Sequence, residues 1–288
     1  MKANNFSMTV RKLTPWMLLL PALALLIAIF TVSIVKFLNY SLYGFSQGTI
    51  VYSRSIDNYI SFFTDAYTRS VLFYTIRLAA ETALITLLIG YPVSYACSRL
   101  TNQVFRKVMM VVVFLPLVTS VVVRSYGWFI ILSTKGVINW LLQALNIASE
   151  PLSLVYNKGA VLVGNVHVLL PFMVFPILSS LSNMDPAVKE AAFDLGANKL
   201  RRFCYVTLPL SLPGVLSGIQ VVFTLAISSY VTPVLLGGGK VSVLSRMIYD
   251  KTVGMDWPGA ATAGAVMLVL AFLIMALFNR LEYFVRTE

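Results

Sequence analysis

Histidine, cysteine and charge are all scarce in this chain of 288 residues. Only 11% of residues are Asp, Glu, Lys or Arg, against 58% hydrophobic and a mean hydropathy of +0.83. A soluble core of this size has no use for so much apolar material, so a soluble globular protein is excluded. His167 is the sole histidine, and neither an H-E-x-x-H nor a G-x-S-x-G arrangement occurs. An intramembrane hydrolase would therefore lack its reacting groups. With no second histidine or nearby acid, His167 reads as a packed, hydrogen-bonded residue and not as a metal ligand or base. Cys97 and Cys204 supply neither a disulfide framework nor a zinc set and read as small buried apolar residues. Gly237-Gly238-Gly239-Lys240 looks like a phosphate loop, but Val241 replaces the required Ser or Thr and the four-residue spacing between glycines is missing. It reads as a flexible external turn. No catalytic, cofactor or metal residue is assigned, and the chain is not expected to hydrolyse ATP itself.

Long uncharged runs take the place of these groups. Lys2, Arg11 and Lys12 precede a run from Leu13 to Val35, enough to cross about 30 Å of hydrocarbon. It exceeds the core of a signal peptide and lacks a clear cleavage site, so it is read as a retained span. Lys36 and the polar stretch Asn39–Ser70 form a long external loop. Further spans are expected over Val71–Ser98, Val108–Leu132 with Pro116 inside, Gly159–Leu181, Gly214–Leu236 and Gly259–Phe278. Six spans put both termini on one side. The loops on that side hold 12 Lys and Arg in 49 residues, the opposite loops 7 in 79. The positive-inside rule therefore makes the termini cytoplasmic. It also accounts for the net charge of +11, whose basic residues are scattered over short loops and form no face for nucleic acid. The expected fold is an all-α integral membrane protein of six transmembrane helices, with a cytoplasmic helix between spans 4 and 5. It divides into 1–72 (first helix and external loop), 73–280 (transmembrane domain) and 281–288 (cytoplasmic tail).

One polar stretch interrupts the hydrocarbon: EAAFDLGANKLRRFCYVTLPLSLPG, Glu190 to Gly214. Its charges cannot sit at bilayer depth without partners, so it lies in water. Asp185 followed by Pro186 predicts a helix start. Val188, Ala192, Leu195 and Lys199 follow at helical spacing, Ala191 extends the strip, and Gly196 leaves a gap for another backbone. Ala and Gly bury too little area for an interfacial lipid helix, so this face is read as a docking face.

Glu190-Ala191-Ala192, Gly196 four residues after Ala192, Leu208-Pro209 and Pro213-Gly214 closely resemble the EAA signature of ABC importer permeases. The resemblance implies a coupling helix seated in a cleft of a cytoplasmic ATPase, with Glu190, Ala191, Ala192, Asp194, Gly196, Leu208 and Pro209 as coupling residues. A second set is Gly90-Tyr91-Pro92, Leu115-Pro116, Thr119-Ser120, Arg124, Tyr126, Ser133-Thr134-Lys135-Gly136, Leu169-Leu170-Pro171-Phe172-Met173 and Asp256-Trp257-Pro258. It resembles the permeases of spermidine/putrescine importers from roughly Phe73 to the C-terminus. Members of that subgroup are linked to other small solutes as well, including opine-like compounds, phosphonates and amino-acid derivatives. The implied partners are a second, similar permease, two ATPase subunits that use ATP and Mg, an extracytoplasmic solute-binding protein, and the lipid of a bacterial inner membrane. The implied mechanism is alternating access driven through the coupling helix.

A polyamine wants carboxylates and aromatic faces along its path. Glu81 is the one acid placed within a span, and Arg77 lies one turn away. Two readings stand: Glu81 contacts the solute, or the two residues neutralise each other. Arg124 is a poor neighbour for a polycation and snorkels outward or holds an external loop. Tyr126, Trp128 and Tyr230 either line a cation path or belong to interfacial aromatic belts. The alternative class is an autonomous secondary transporter, which needs intramembrane acids or broken helices at mid-depth, and one Glu is thin material for it.

Overall fold

The computed structural model describes the backbone of residues 3–287 and the side chains of residues 19–185, 187, 188 and 190–284. Lys2 and the side chains of Arg11 and Lys12 lie outside them. The chain opens with α1 (Ala3–Tyr40), a hairpin of β1 (Tyr43–Ser46) and β2 (Thr49–Arg54), and the short α2 (Asp57–Thr64). Then come α3 (Ala66–Arg99), α4 (Gln103–Val118), α5 (Val121–Leu132), α6 (Val137–Ala144) and α7 (Lys158–Ser182). After these follow α8 (Pro186–Asp194), α9 (Lys199–Arg202), a π-helical turn Phe203–Thr207, α10 (Leu208–Ile227), α11 (Val231–Gly237), α12 (Leu244–Val253) and α13 (Trp257–Thr287).

The hairpin adds a strand pair to a stretch read as loop. Gln47 and Gly48 both take positive φ, the geometry of a two-residue turn matched to strand twist. Thr49-Ile50-Val51 supplies the β-branched partner to β1.

Among the described residues, six stretches are long and apolar enough to cross a membrane: Leu19–Tyr40, Ala66–Arg99, Val121–Ala144, Lys158–Ser182, Lys199–Ile227 and Trp257–Phe284. The third of these contains two helices, α5 and α6, separated at Ser133–Gly136. Twelve residues of α5 rise only about 18 Å, so the crossing needs α4 as well.

The third span is therefore not the continuous helix expected. It breaks at Thr119-Ser120, both extended: α4 runs through Pro116 to Val118, and the Ser120 hydroxyl accepts from the Val122 amide at 3.3 Å to start the next helix. The fifth span is interrupted too. Lys199–Ile227 runs as one helical rod, stops at Ser228-Ser229-Tyr230, and restarts as α11.

α7 is the axis of the molecule, with α3 and α10 packed along it. Met173 is fully buried and is pinched between two glycines: a Cβ on Gly90 would lie 2.9 Å from its Cγ, and one on Gly218 2.8 Å from its Sδ. Lipid offers no hydrophobic drive between helices, so close approach over small residues does the holding. α1 touches the rest mainly through α13, where Phe37 lies on Gly264, and its residues from Leu19 to Leu38 are otherwise exposed.

Candidate functional site

Two regions carry the residues singled out in the sequence: the α8 end of the bundle, and the breaks in spans 3 and 5.

At the α8 end, Asp185 caps α8 by accepting from the Ala187 amide at 2.9 Å. The helix then stops sooner than its spacing suggests. Gly196 has φ +78°, its amide donates to Phe193 O at 2.9 Å, and the Ala197 amide donates to Ala192 O at 3.1 Å. This pair of bonds is a Schellman motif with glycine in the left-handed position. Gly196 thus serves backbone conformation; a Cβ there meets nothing within 4 Å among the described residues. Lys199 consequently belongs to α9 and not to the docking strip of α8, correcting the expected face. Asn198 caps α9 by accepting from the Arg201 amide at 2.8 Å.

Glu190, Ala191 and Asp194 are exposed and Ala192 is half-buried. Beside them stands an apolar surface that the EAA pattern does not name: Phe193 is 64% exposed, Leu195 87% and Tyr205 80%, with Leu200 also exposed. Arg202 lies over the Phe193 ring at 5.4 Å. Cys204 is exposed in the π-turn, contrary to the buried reading; Cys97 is buried.

Leu208 and Pro209 do not belong to α8. They open α10, and Pro209 explains the turn before it. A proline has no amide and its ring clashes with the carbonyl four residues back. The helix widens, and the Leu208 amide donates to Phe203 O, five residues back. Phe203 is carried against α3, edge-on to Tyr91 at 5.9 Å and Tyr95 at 5.3 Å. Tyr91 also shares a 3.0 Å hydrogen bond with Ser211 of α10, so the Gly90-Tyr91-Pro92 and Leu208-Pro209 motifs meet.

At the breaks, α5 and α11 pack on each other and on α7, with Ser125 and Thr232 hydroxyls 3.1 Å apart. Arg124 donates through Nη1 to Val168 O at 3.4 Å, while its buried Nε has no hydrogen-bond partner among the described residues. It is directed into the bundle at α7 and does not snorkel. The Trp128 indole N–H donates to His167 Nδ1 at 3.1 Å, so His167 is packed and hydrogen-bonded. Tyr126 is exposed and stacks on Phe129, and Tyr230 faces Tyr249 at 4.9 Å. Asn165 was not singled out from sequence. It is 1% exposed, accepts from the Ser229 hydroxyl at 3.0 Å, and its Nδ2 has no hydrogen-bond partner among the described residues.

Glu81 is not brought to these breaks by any contact. Its carboxylate takes Arg77 Nε at 2.9 Å and Lys158 Nζ at 2.6 Å. Lys158 begins α7 and was invisible to one-helix spacing. Two cations on one carboxylate favour the structural reading and tie α3 to α7. Asp256 is structural as well: it takes Lys251 Nζ at 2.7 Å and the Gly259 amide at 2.8 Å, turning the chain into α13.

Residues 88–287 match the family described as binding-protein-dependent transport system inner membrane component. The spermidine/putrescine transport system permease protein PotB of Haemophilus influenzae is 33% identical over 227 residues, covering 78% of this chain and 79% of its own. PotB of Escherichia coli K12 is 33% identical over 223 residues, covering 77% and 80%. In fold, the chain is similar to one in the crystal structure of a bacterial alginate ABC transporter in complex with an alginate pentasaccharide-bound periplasmic protein. The TM-score is 0.75 at 19% identity, covering 94% of this chain and 95% of that one.

Proposed function

Because this chain belongs to the family of binding-protein-dependent transport system inner membrane components, we propose that it forms half of a solute path driven by a separate ATPase and that the solute is a polyamine. It is a permease subunit of an ABC importer and a multi-pass protein of the inner membrane. The observation that carries the coupling reading is the α8–α9 segment, whose caps are satisfied from within the chain while its apolar and acidic side chains stand exposed. A segment so ordered and so uncovered is suited to a partner.

On this reading the α8 end is cytoplasmic, in keeping with its excess of Lys and Arg. Two ATPase subunits close on ATP and Mg, the α8–α9 segments of this chain and of a second, similar permease move with them, and the path turns from one side to the other. An extracytoplasmic binding protein delivers the solute. Glu190, Ala191, Ala192 and Asp194 supply the docking side of α8, Gly196 sets its end, and Leu208 and Pro209 join it to the bundle. Tyr126, Trp128 and Tyr230 flank the breaks, where interrupted helices open backbone and side chains to a path.

The names of the relatives, spermidine/putrescine permeases, support the polyamine. A second reading, the same class of importer for an opine-like compound, phosphonate or amino-acid derivative, is favoured by Arg124, a cation at the breaks with no ion pair among the described residues, while Glu81 is already taken by Arg77 and Lys158. The interrupted spans are also what a secondary transporter would use. Proteoliposomes holding the full complex decide among the three: radiolabelled spermidine should enter only with ATP, the ATPase and the binding protein. Entry driven by an ion gradient without the ATPase overturns the importer reading; ATP-dependent entry of a phosphonate but not of spermidine overturns the polyamine.

A further inference from the structure

The aromatic cluster at the π-turn lies on neither the docking face nor the breaks, yet it touches the elements on both sides of the joint. Phe203 is the first residue of the π-turn, directly after α9. Its ring wedges against Tyr91 and Tyr95 of α3, with interplanar angles of 82° and 81°, an edge-to-face geometry that fixes orientation as well as area. Guanidinium groups lie over two rings nearby. Arg99, in the last turn of α3, lies over Tyr95 at 5.2 Å, and Arg202 lies over Phe193 of α8 at 5.4 Å. Tyr91 closes the circuit through its hydrogen bond to the buried Ser211 hydroxyl of α10.

A π-turn is one of the few places where a helix kinks. Left to itself, such a turn would absorb a push from α8–α9 instead of passing it on. The ring of Phe203 gives that push a second route, sideways into α3 and through Tyr91 into α10. Upstream on α3, Gly90 rests on Met173 of α7, so displacement of Tyr91 reaches the central packing contact of the bundle.

We propose that Phe203 is a positioning residue for transport, a wedge that transmits movement of the α8–α9 segment to α3 through Tyr91 and Tyr95. The proposal rests on the reading of α8–α9 as the ATPase-docking segment and adds how the docked segment acts on the spans. It predicts a separation of docking from transport: Phe203→Ala keeps the ATPase bound but disconnects its cycle from the path.

The test uses the full complex in a Cys97→Ala, Cys204→Ser background carrying Ser228→Cys. Ser228 is exposed at the break of span 5, which the proposed function puts beside the path; on that reading its labelling rate by a membrane-impermeant maleimide, with and without vanadate-trapped nucleotide, reads the state of the path without knowledge of the solute. With Phe203 present the rate should change at least about fivefold on trapping. Phe203→Ala should leave ATPase co-purification and ATP turnover within about twofold and reduce the labelling change to below about 1.5-fold; Phe203→Tyr should restore it. A full labelling change in Phe203→Ala overturns the wedge. Loss of the bound ATPase in Phe203→Ala also overturns it, by making Phe203 a docking or folding residue. If Glu190→Ala retains the ATPase at wild-type levels, the docking reading itself falls, whatever Phe203 does.

Discussion

α7 and the α8–α9 segment follow one another with only Asn183 to Asp185 between them, and both use small residues, yet they use them for opposite ends. Around α7 the glycines of α3 and α10 are spaces already filled: Gly90 and Gly218 by Met173, and Gly214 by the Pro176 carbonyl and Ser180. In α8–α9 the glycine fills no space at all, and its value lies in a backbone angle. α7 is mostly buried in its own chain, whereas α8 leaves most of its side chains exposed. Substitutions around α7 should therefore be felt in folding, and substitutions in α8–α9 in assembly.

The sharpest break in this comparison, and the largest expected effect, is Glu190→Ala. Glu190 is exposed in this chain, so the free permease should insert and accumulate normally. A charge desolvated in a complex costs roughly 2–5 kcal/mol when removed, so ATPase retention should fall by about 30-fold or more. Co-purification against membrane abundance is the measurement; parallel loss of both would place Glu190 in the fold. Gly214→Leu is the converse case. Its Cβ would sit 2.6 Å from the Pro176 carbonyl oxygen and 2.6 Å from Ser180 Cβ, and overpacking against backbone costs about 1–3 kcal/mol. Membrane abundance should drop several-fold while the protein that survives still holds its ATPase.

Glu81→Gln follows, where the middle of α3 meets the start of α7. It would strip Arg77 and Lys158 of their shared carboxylate, a partly exposed pair of bonds worth about 1–2 kcal/mol, between the surface and buried limits. Abundance should fall modestly and recover when Arg77→Met and Lys158→Met are added. Recovery of abundance without recovery of transport would return Glu81 to the solute path.

What could be read from the sequence follows the same division. The spans were legible because twenty apolar residues have one meaning in lipid. The start of α8 was legible because Asp185-Pro186 is a local signal. The breaks were not: Thr119-Ser120 and Ser228-Ser229-Tyr230 sit in runs apolar enough to pass as continuous helix, and the partners that make the interruptions tolerable, Ser125 with Thr232 and Asn165 with Ser229, are 107 and 64 residues apart. Lys158 was missed for Glu81 for the same reason. Phe193 and Tyr205 were passed over because an exposed aromatic stands out only once its surroundings are known.

The smallest expected effect, that of Gly196→Asn, bears on the residue for which sequence and structure give different reasons. Spacing made Gly196 a gap for an approaching backbone; its φ of +78° makes it the left-handed end of α8. These readings part at Gly196→Asn and Gly196→Leu. Asn visits the left-handed region readily, whereas a Leu there costs roughly 1–2 kcal/mol. If the angle is what matters, Asn should keep ATPase retention within about twofold of wild type and Leu should lower it about fivefold to thirtyfold by letting α8 run on past Asp194. If the gap is what matters, Asn, which also carries a Cβ and an amide, should fail as badly as Leu. Helix length reported by spin-label distances between positions 188 and 200 separates a changed backbone from a blocked docking surface, and an unchanged distance in a Leu variant that has lost its ATPase would restore the gap reading.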